Sequence, residues 1–139
     1  MAQSELDCTF PYDPVSDRLG ITYARIADRV CLARLDAGPV HCNVFGVVHG
    51  AVLFAMADTA MGYALLNVLG GQLRLGSISV TANYLSPVPP GRVSARAALV
   101  RQGRTVAFLD CDIADAAGNV CACFSGIFHI RPADKDRQP

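Results

Sequence analysis

The sequence predicts an α+β fold in which a curved antiparallel sheet of about five strands wraps around one long central helix. Three observations carry the prediction. The stretch from His49 to Leu66, HGAVLFAMADTAMGYALL, is apolar at nearly every position and holds one charge, Asp58. Four segments of alternating apolar and polar residues follow it, separated by short Pro- and Gly-bearing links. One further β-branched, alternating segment, Ile21 to Asp36, precedes it.

In chain order, the first stretch up to about Gly20 reads as irregular, with one helical turn near DPVSDRLG. Ile21–Asp36 reads as one strand with a bulge, and AGPVHCNVFGVV as a loop of small and turn-forming residues. The helix is expected from about Gly50 to about Leu69, ended by Gly70-Gly71. SISVTANYL places Ile78, Val80, Ala82 and Tyr84 on one face. RVSARAALV does the same for Val93, Ala95, Ala97 and Leu99. TVAFLDCDIAD and VCACFSGIFHI complete the set. The links SPVPPG, RQGR and AAGN read as turns, so the last four strands are expected as antiparallel neighbours. A helix apolar around its circumference must be covered all round. The chain of 139 residues reads as a single domain, with residues 1–18 and 131–139 as irregular tails.

Twelve basic and twelve acidic residues cancel, which argues against nucleic acid as a partner. The charges are unevenly spread. No acidic residue occurs between Asp58 and Asp110, a span that carries Arg74, Arg92, Arg96, Arg101 and Arg104. Such a half suits an anionic small ligand, or simply solvated strand edges. The N-terminus has no basic-then-apolar run, so no signal peptide is expected and the expected compartment is cytoplasmic. Six cysteines show no framework spacing and read as free thiols in a reducing compartment. Cys121 and Cys123 would share one strand face. A zinc site from His41, Cys42 and that pair is the weaker alternative, and no metal or cofactor is expected.

The helix is long enough to span a bilayer, but a mid-helix Asp costs about 2.5–3.5 kcal/mol there. His49, Gly50, Thr59, Gly62 and Asn67 dilute it further, and soluble-type strands follow. No membrane partner is expected.

In a soluble core an unpaired Asp is equally costly or becomes protonated. Its helical neighbours Phe54, Ala55, Met61 and Gly62 cannot pair with it, and Ala55 and Gly62 leave room beside it. That suits a pocket. An Asp held by backbone amides or by a strand arginine is the alternative. At the helix start, Asn43, Gly46, His49 and Gly50 cluster where unpaired amides and the dipole favour a developing oxyanion. His49 there is a cap or a catalyst. Gly50 and Asp58 are eight residues apart, about 12 Å along the axis. One substrate can meet both only across two antiparallel helices of a twofold dimer. The high apolar content, 52% against 17% charged, fits such an interface.

These residues resemble the hotdog-fold thioesterases of the phenylacetic-acid-degradation (PaaI-like) subgroup. The matching elements are Asn43, Gly46, His49-Gly50-Ala51, Ala57-Asp58, NYLSPVPPG (Asn83 to Gly91), RQGR (Arg101 to Arg104) and CFSGIFHI, over about Leu19 to Ile130. The resemblance implies hydrolysis of an acyl-CoA thioester by a homodimer at minimum, usually a homotetramer. It implies Asp58 as nucleophile or general base, the partner's Gly50 amide as carbonyl-polarising group, and Asn43 and His49 as positioning residues. Ala51 departs from the second Gly of His-Gly-Gly and narrows the approach. Ala51, Phe54, Met61, Gly62 and Tyr84 are the residues expected to bind an aryl-acetyl or short-to-medium acyl substrate. Arg101 and Arg104 are those expected to meet the CoA phosphates. A non-catalytic CoA-binding module and a hydratase or dehydratase of the same fold stand as alternatives.

Overall fold

A computed structural model describes residues 10–70 and 73–132. The elements are α1 (Pro14–Leu19), β1 (Thr22–Ala27), β2 (Val30–Ala37), a 3-10 turn (Pro39–His41), α2 (Gly50–Leu69), β3 (Leu73–Tyr84), β4 (Gly91–Gln102), β5 (Val106–Ala114) and β6 (Val120–Pro132). The strands form one antiparallel sheet in the order β1-β2-β4-β5-β6-β3.

The long helix falls where expected. His49 is its N-cap, and Gly70 ends it at φ +72° with its N–H on the Leu66 carbonyl, 3.0 Å away. The strands beneath it carry small residues. Cys31, Ala33, Ala95, Ala97 and Cys111 are almost wholly buried and face Met56, Ala57, Ala60, Met61 and Ala64, all fully buried. Small strand residues let helix and sheet approach closely, and the methionines fill what is left. Val93, Ala95, Ala97 and Leu99 all face this core, as their alternation requires.

Several expectations are corrected. Ile21–Asp36 is two strands, not one: β1 and β2 form a hairpin about Asp28-Arg29, which raises the count to six strands. Among the described residues no non-glycine has positive φ, so this turn is not the type that Asn-Gly announces. The Arg25–Asp28 ion pair (2.6 Å) and a bulge between Arg25 and Ala27 close it instead. The stretch before Gly20 holds a six-residue helix, with Pro14 in its first turn and Gly20 at φ +77° after it. At the other end β6 runs to Pro132. The remaining tail residues, 1–9 and 133–139, lie outside the described set.

β3 and β4 are not neighbours. β3 pairs with β6 at the far edge, and Leu85–Pro90 crosses the end of the sheet to reach β4. Pro87, Pro89 and Pro90 forbid a strand there. Val88 is buried and its carbonyl accepts the Val48 N–H at 2.8 Å, which ties the crossover to the helix start.

The sheet does not cover the helix all round. Ala51 is exposed, and Phe54, Ala55, Asp58, Thr59, Gly62 and Leu66 are half-buried, forming one continuous stripe. This helix is long and apolar enough to cross a membrane, yet half of it is buried and it packs on the sheet as the core of the fold.

Bulges bend the sheet and redirect side chains. Between Ser77 and Ser79 the extra residue is Ile78, which is turned out and 58% exposed instead of joining the face of Val80, Ala82 and Tyr84. Beyond the bulge, Ser77 pairs with buried Phe128 and takes the helix-facing side. Cys121 is likewise the extra residue of a bulge against β5. It is buried, with its S–H near the Asn119 carbonyl (3.3 Å), so it does not share the face of Cys123.

Candidate active site

The loop before α2 is built by its own side chains. The Asn43 Oδ1 accepts the N–H of Phe45 (2.9 Å) and of Val47 (3.4 Å), and Gly46 turns at φ +77°. His41 is buried. Its Nδ1 accepts the Gly38 N–H (3.0 Å), and its Nε2 lies 2.7 Å from the Leu19 carbonyl. The Cys42 thiol faces the Gly38 carbonyl (3.4 Å). With both ring nitrogens committed, His41 is a structural tie between α1 and the loop, not a zinc ligand.

His49 caps the helix. Its Nδ1 accepts the Ala51 N–H at 3.0 Å, and its carbonyl accepts from Val52 (2.9 Å) and Leu53 (3.2 Å). Of the first-turn amides, Gly50 N–H alone has no acceptor among the described residues. The Tyr84 hydroxyl donates to the Gly50 carbonyl (3.0 Å), and its ring lies 3.2 Å from where a Gly50 Cβ would stand. Asn43, Gly50, Leu53, Tyr84 and Leu85–Val88 line a cavity of about 360 Å³.

Asp58 lies in a different place. A second cavity, about 280 Å³, is lined by Asp58, Thr59, Gly62, Tyr63, Leu66, Leu75, Gly76, Ser77 and Phe128. The two cavities share no residue. Burial pushes the Asp58 carboxyl above its ordinary range, and a hydrogen bond from Ser77 partly offsets this. Its Oδ1 is buried without a hydrogen-bond partner. Neither an arginine nor a backbone amide neutralises the group, as the structural alternative required.

The predicted residues therefore fall into sets. Asn43, Gly50 and Tyr84 come together, as do Asp58 and Gly62; within one protomer the two sets do not meet. Ala51 and Phe54 lie on the open stripe between them, Phe54 packed edge-on to Phe124 at 5.7 Å. Met61 is corrected: it is fully buried, near Gly126 in the core, and lines neither cavity. Arg101 and Arg104 are exposed at the β4–β5 turn and line neither cavity. A separate hollow of about 420 Å³ holds Arg34 and Arg92 with Asp36 at the β1–β2–β4 end of the sheet.

Sequence reading missed Ser77 as a cavity residue, whereas Tyr63, which with Phe54 and Met61 suggests an aryl or short acyl group, does line the Asp58 cavity. Strict alternation turns Ser77 away from the helix, and only the bulge at Ile78 reverses it.

Comparison with known proteins agrees with this fold. The Thioesterase superfamily model matches residues 45–122, which include His49, Gly50, Asp58 and Ser77. A Haemophilus influenzae protein with an esterase name is 34% identical over 77 residues, 55% of this chain and 56% of that one. The chain thus spans little more than half the length of that relative. The crystal structure of a Haemophilus influenzae thioesterase superposes with a TM-score of 0.83 at 24% identity, covering 88% of this chain and 87% of that one, and so shares the fold. The E. coli PaaI protein of the phenylacetic acid degradation operon superposes at 0.78 with 25% identity, over 84% and 83% of the two chains. The chain thus has the hotdog fold of the PaaI-like proteins and belongs to the thioesterase superfamily.

Proposed function

We propose that the protein hydrolyses an acyl-CoA thioester at a site shared by two protomers of a homodimer. One observation carries this reading. A half-buried carboxylate with an unpartnered Oδ1 sits on an uncovered helix stripe and lines a largely apolar cavity. A raised carboxyl pKa suits a base that must take a proton from water.

The chemistry needs a donor for the carbonyl oxygen. The unpaired Gly50 amide at the positive end of α2 is such a donor, but it lies about 12 Å along its own helix from Asp58. Antiparallel docking of two α2 stripes brings the Gly50 amide of the partner subunit to Asp58. The thioester carbonyl oxygen then accepts from that amide. Water attacks the carbonyl carbon as its proton passes to Asp58, or Asp58 attacks directly to form a mixed anhydride that water then hydrolyses to the free acid, restoring the carboxylate. The tetrahedral oxyanion is held by the amide, and its collapse expels the CoA thiolate. Asn43 holds the loop that aims Gly50, and His49 holds the first turn.

The test is thiol release from phenylacetyl-, hydroxybenzoyl-, hexanoyl- and crotonyl-CoA by wild type and by Asp58→Asn. Release that disappears in the variant supports the reading. Release that survives it, or none from any thioester, contradicts it.

A further inference from the structure

We propose that Tyr63 is the partition that ends the acyl cavity, and that Phe10 and Pro11 hold it in place. The inference rests on the reading that the Asp58 cavity takes the acyl group.

Tyr63 is the residue common to two cavities. On one side lies the apolar space beside Asp58, about 280 Å³, walled by Gly62, Leu66, Leu75 and Phe128. On the other lies a space of about 320 Å³ bounded by the N-terminal segment and Tyr23. The Tyr63 ring therefore separates them.

The ring is fixed on three sides. Its hydroxyl donates to the Pro11 carbonyl at 2.7 Å. Phe10 stacks on it, with centroids 4.5 Å apart and planes 20° off parallel. Tyr23 meets it edge-on at 4.8 Å and 90°, and the Tyr23 hydroxyl is itself anchored to the Ser16 hydroxyl, 2.7 Å away. A buried ring so held does not swing aside for a growing chain, as a methionine would. Compact acyl groups, aromatic or short, fill the cavity up to the ring, and longer ones stop against it. Tyr63 is thus a specificity-determining residue, and Phe10 is a positioning residue that acts through it. Removing the partition joins the acyl space to the second one, where Phe10, Pro11, Ile21 and Tyr23 offer apolar wall beside the polar Asp13, Ser16 and Asp17.

The experiment is a chain-length profile of kcat/KM from acetyl- to decanoyl-CoA for wild type, Tyr63→Ala, Phe10→Ala and Tyr63→Phe. The same ranking is read in the binding of S-hexyl- and S-decyl-CoA thioethers, which needs no turnover. Tyr63→Ala is expected to raise decanoyl relative to hexanoyl by about tenfold or more. Phe10→Ala shifts the profile the same way by a smaller factor, and Tyr63→Phe, which keeps the ring but loses the Pro11 bond, shifts it less still. If Tyr63→Ala does not fold, Phe10→Ala, whose ring is partly exposed, decides. Folded variants with the wild-type ranking in both assays overturn the partition, even while Asp58-dependent hydrolysis upholds the active-site reading. A shift in thioether binding with no hydrolysis by wild type upholds the partition and overturns that reading.

Discussion

Replacing Asp58 by Asn should abolish turnover and stabilise the fold together. The folded-state carboxyl pKa lies above its unfolded value because burial disfavours the charged form, with the Ser77 bond a lesser, opposing effect. Between the two values the folded chain binds more protons than the unfolded one, so stability falls as pH rises through that window. At neutral pH the ionised Asp58 is a net cost. Asparagine keeps a polar oxygen at the site, so it removes only the cost of burying the charge. Asp58 is only half-buried and holds the Ser77 bond, so that cost is small, about 1 kcal/mol. An isosteric amide removes the charge, and the melting temperature should rise by about 4 °C for a chain of this length. Wild type recovers the difference in acid as Asp58 takes up its proton, so the two melting curves should converge near pH ~4. Thiol release should fall by about a hundred- to ten-thousand-fold. Thermal melts at both pH values, run beside the thiol assay, check all three. A variant that melts lower than wild type at neutral pH would refute the reasoning about the carboxylate, whatever its activity.

Three further outcomes follow from the same geometry. Gly50→Pro should fold, because His49 at φ −61° and ψ 135° already has the extended backbone that precedes proline, and proline is at home in the first helical position. It should lose about a hundred- to thousandfold in kcat with its amide, whereas Gly50→Ala, which crowds Tyr84 equally but keeps the N–H, should retain most activity. Ser77→Ala removes the bond that holds the Asp58 carboxyl down, so the acid limb of a kcat/KM profile should move to higher pH. In Gly126→Ala the new methyl would stand 2.8 Å from the Phe128 ring and 3.0 Å from the Met61 sulfur, and chemical denaturation should show a loss of about 1–3 kcal/mol.

What the sequence made legible follows from periodicity. The helix from Gly50 to Leu69 and the inward set Val93, Ala95, Ala97 and Leu99 are stated by repeats that burial enforces. The lone carboxylate of that helix pointed to a cavity, and a cavity is there. Bulges and non-local pairing were not legible. Alternation gives no hint that Ile78 steps out of register and turns Ser77 inward. Short links suggested neighbouring strands, yet the prolines of Leu85–Pro90 carry the chain across the sheet, so β3 finds β6 instead of β4. Met61 reads the same on an apolar helix whether it faces ligand or core, and only the approach of Gly126 decides for the core. The charge on Arg101 and Arg104 says nothing about their distance from a cavity. They stand at a hairpin tip instead.

The central claim is that Asp58 of one protomer works with Gly50 of the partner subunit. Mixing protomers tests it most directly. Asp58→Asn and Gly50→Pro proteins, each inactive alone, are unfolded together, refolded at equal amounts and assayed for thiol release. A shared site predicts recovery: a mixed dimer regains one intact pair of Asp58 and Gly50, and random pairing restores about a quarter of wild-type sites. A site built within one protomer predicts none, and a refolded mixture as inactive as its parents would contradict the account.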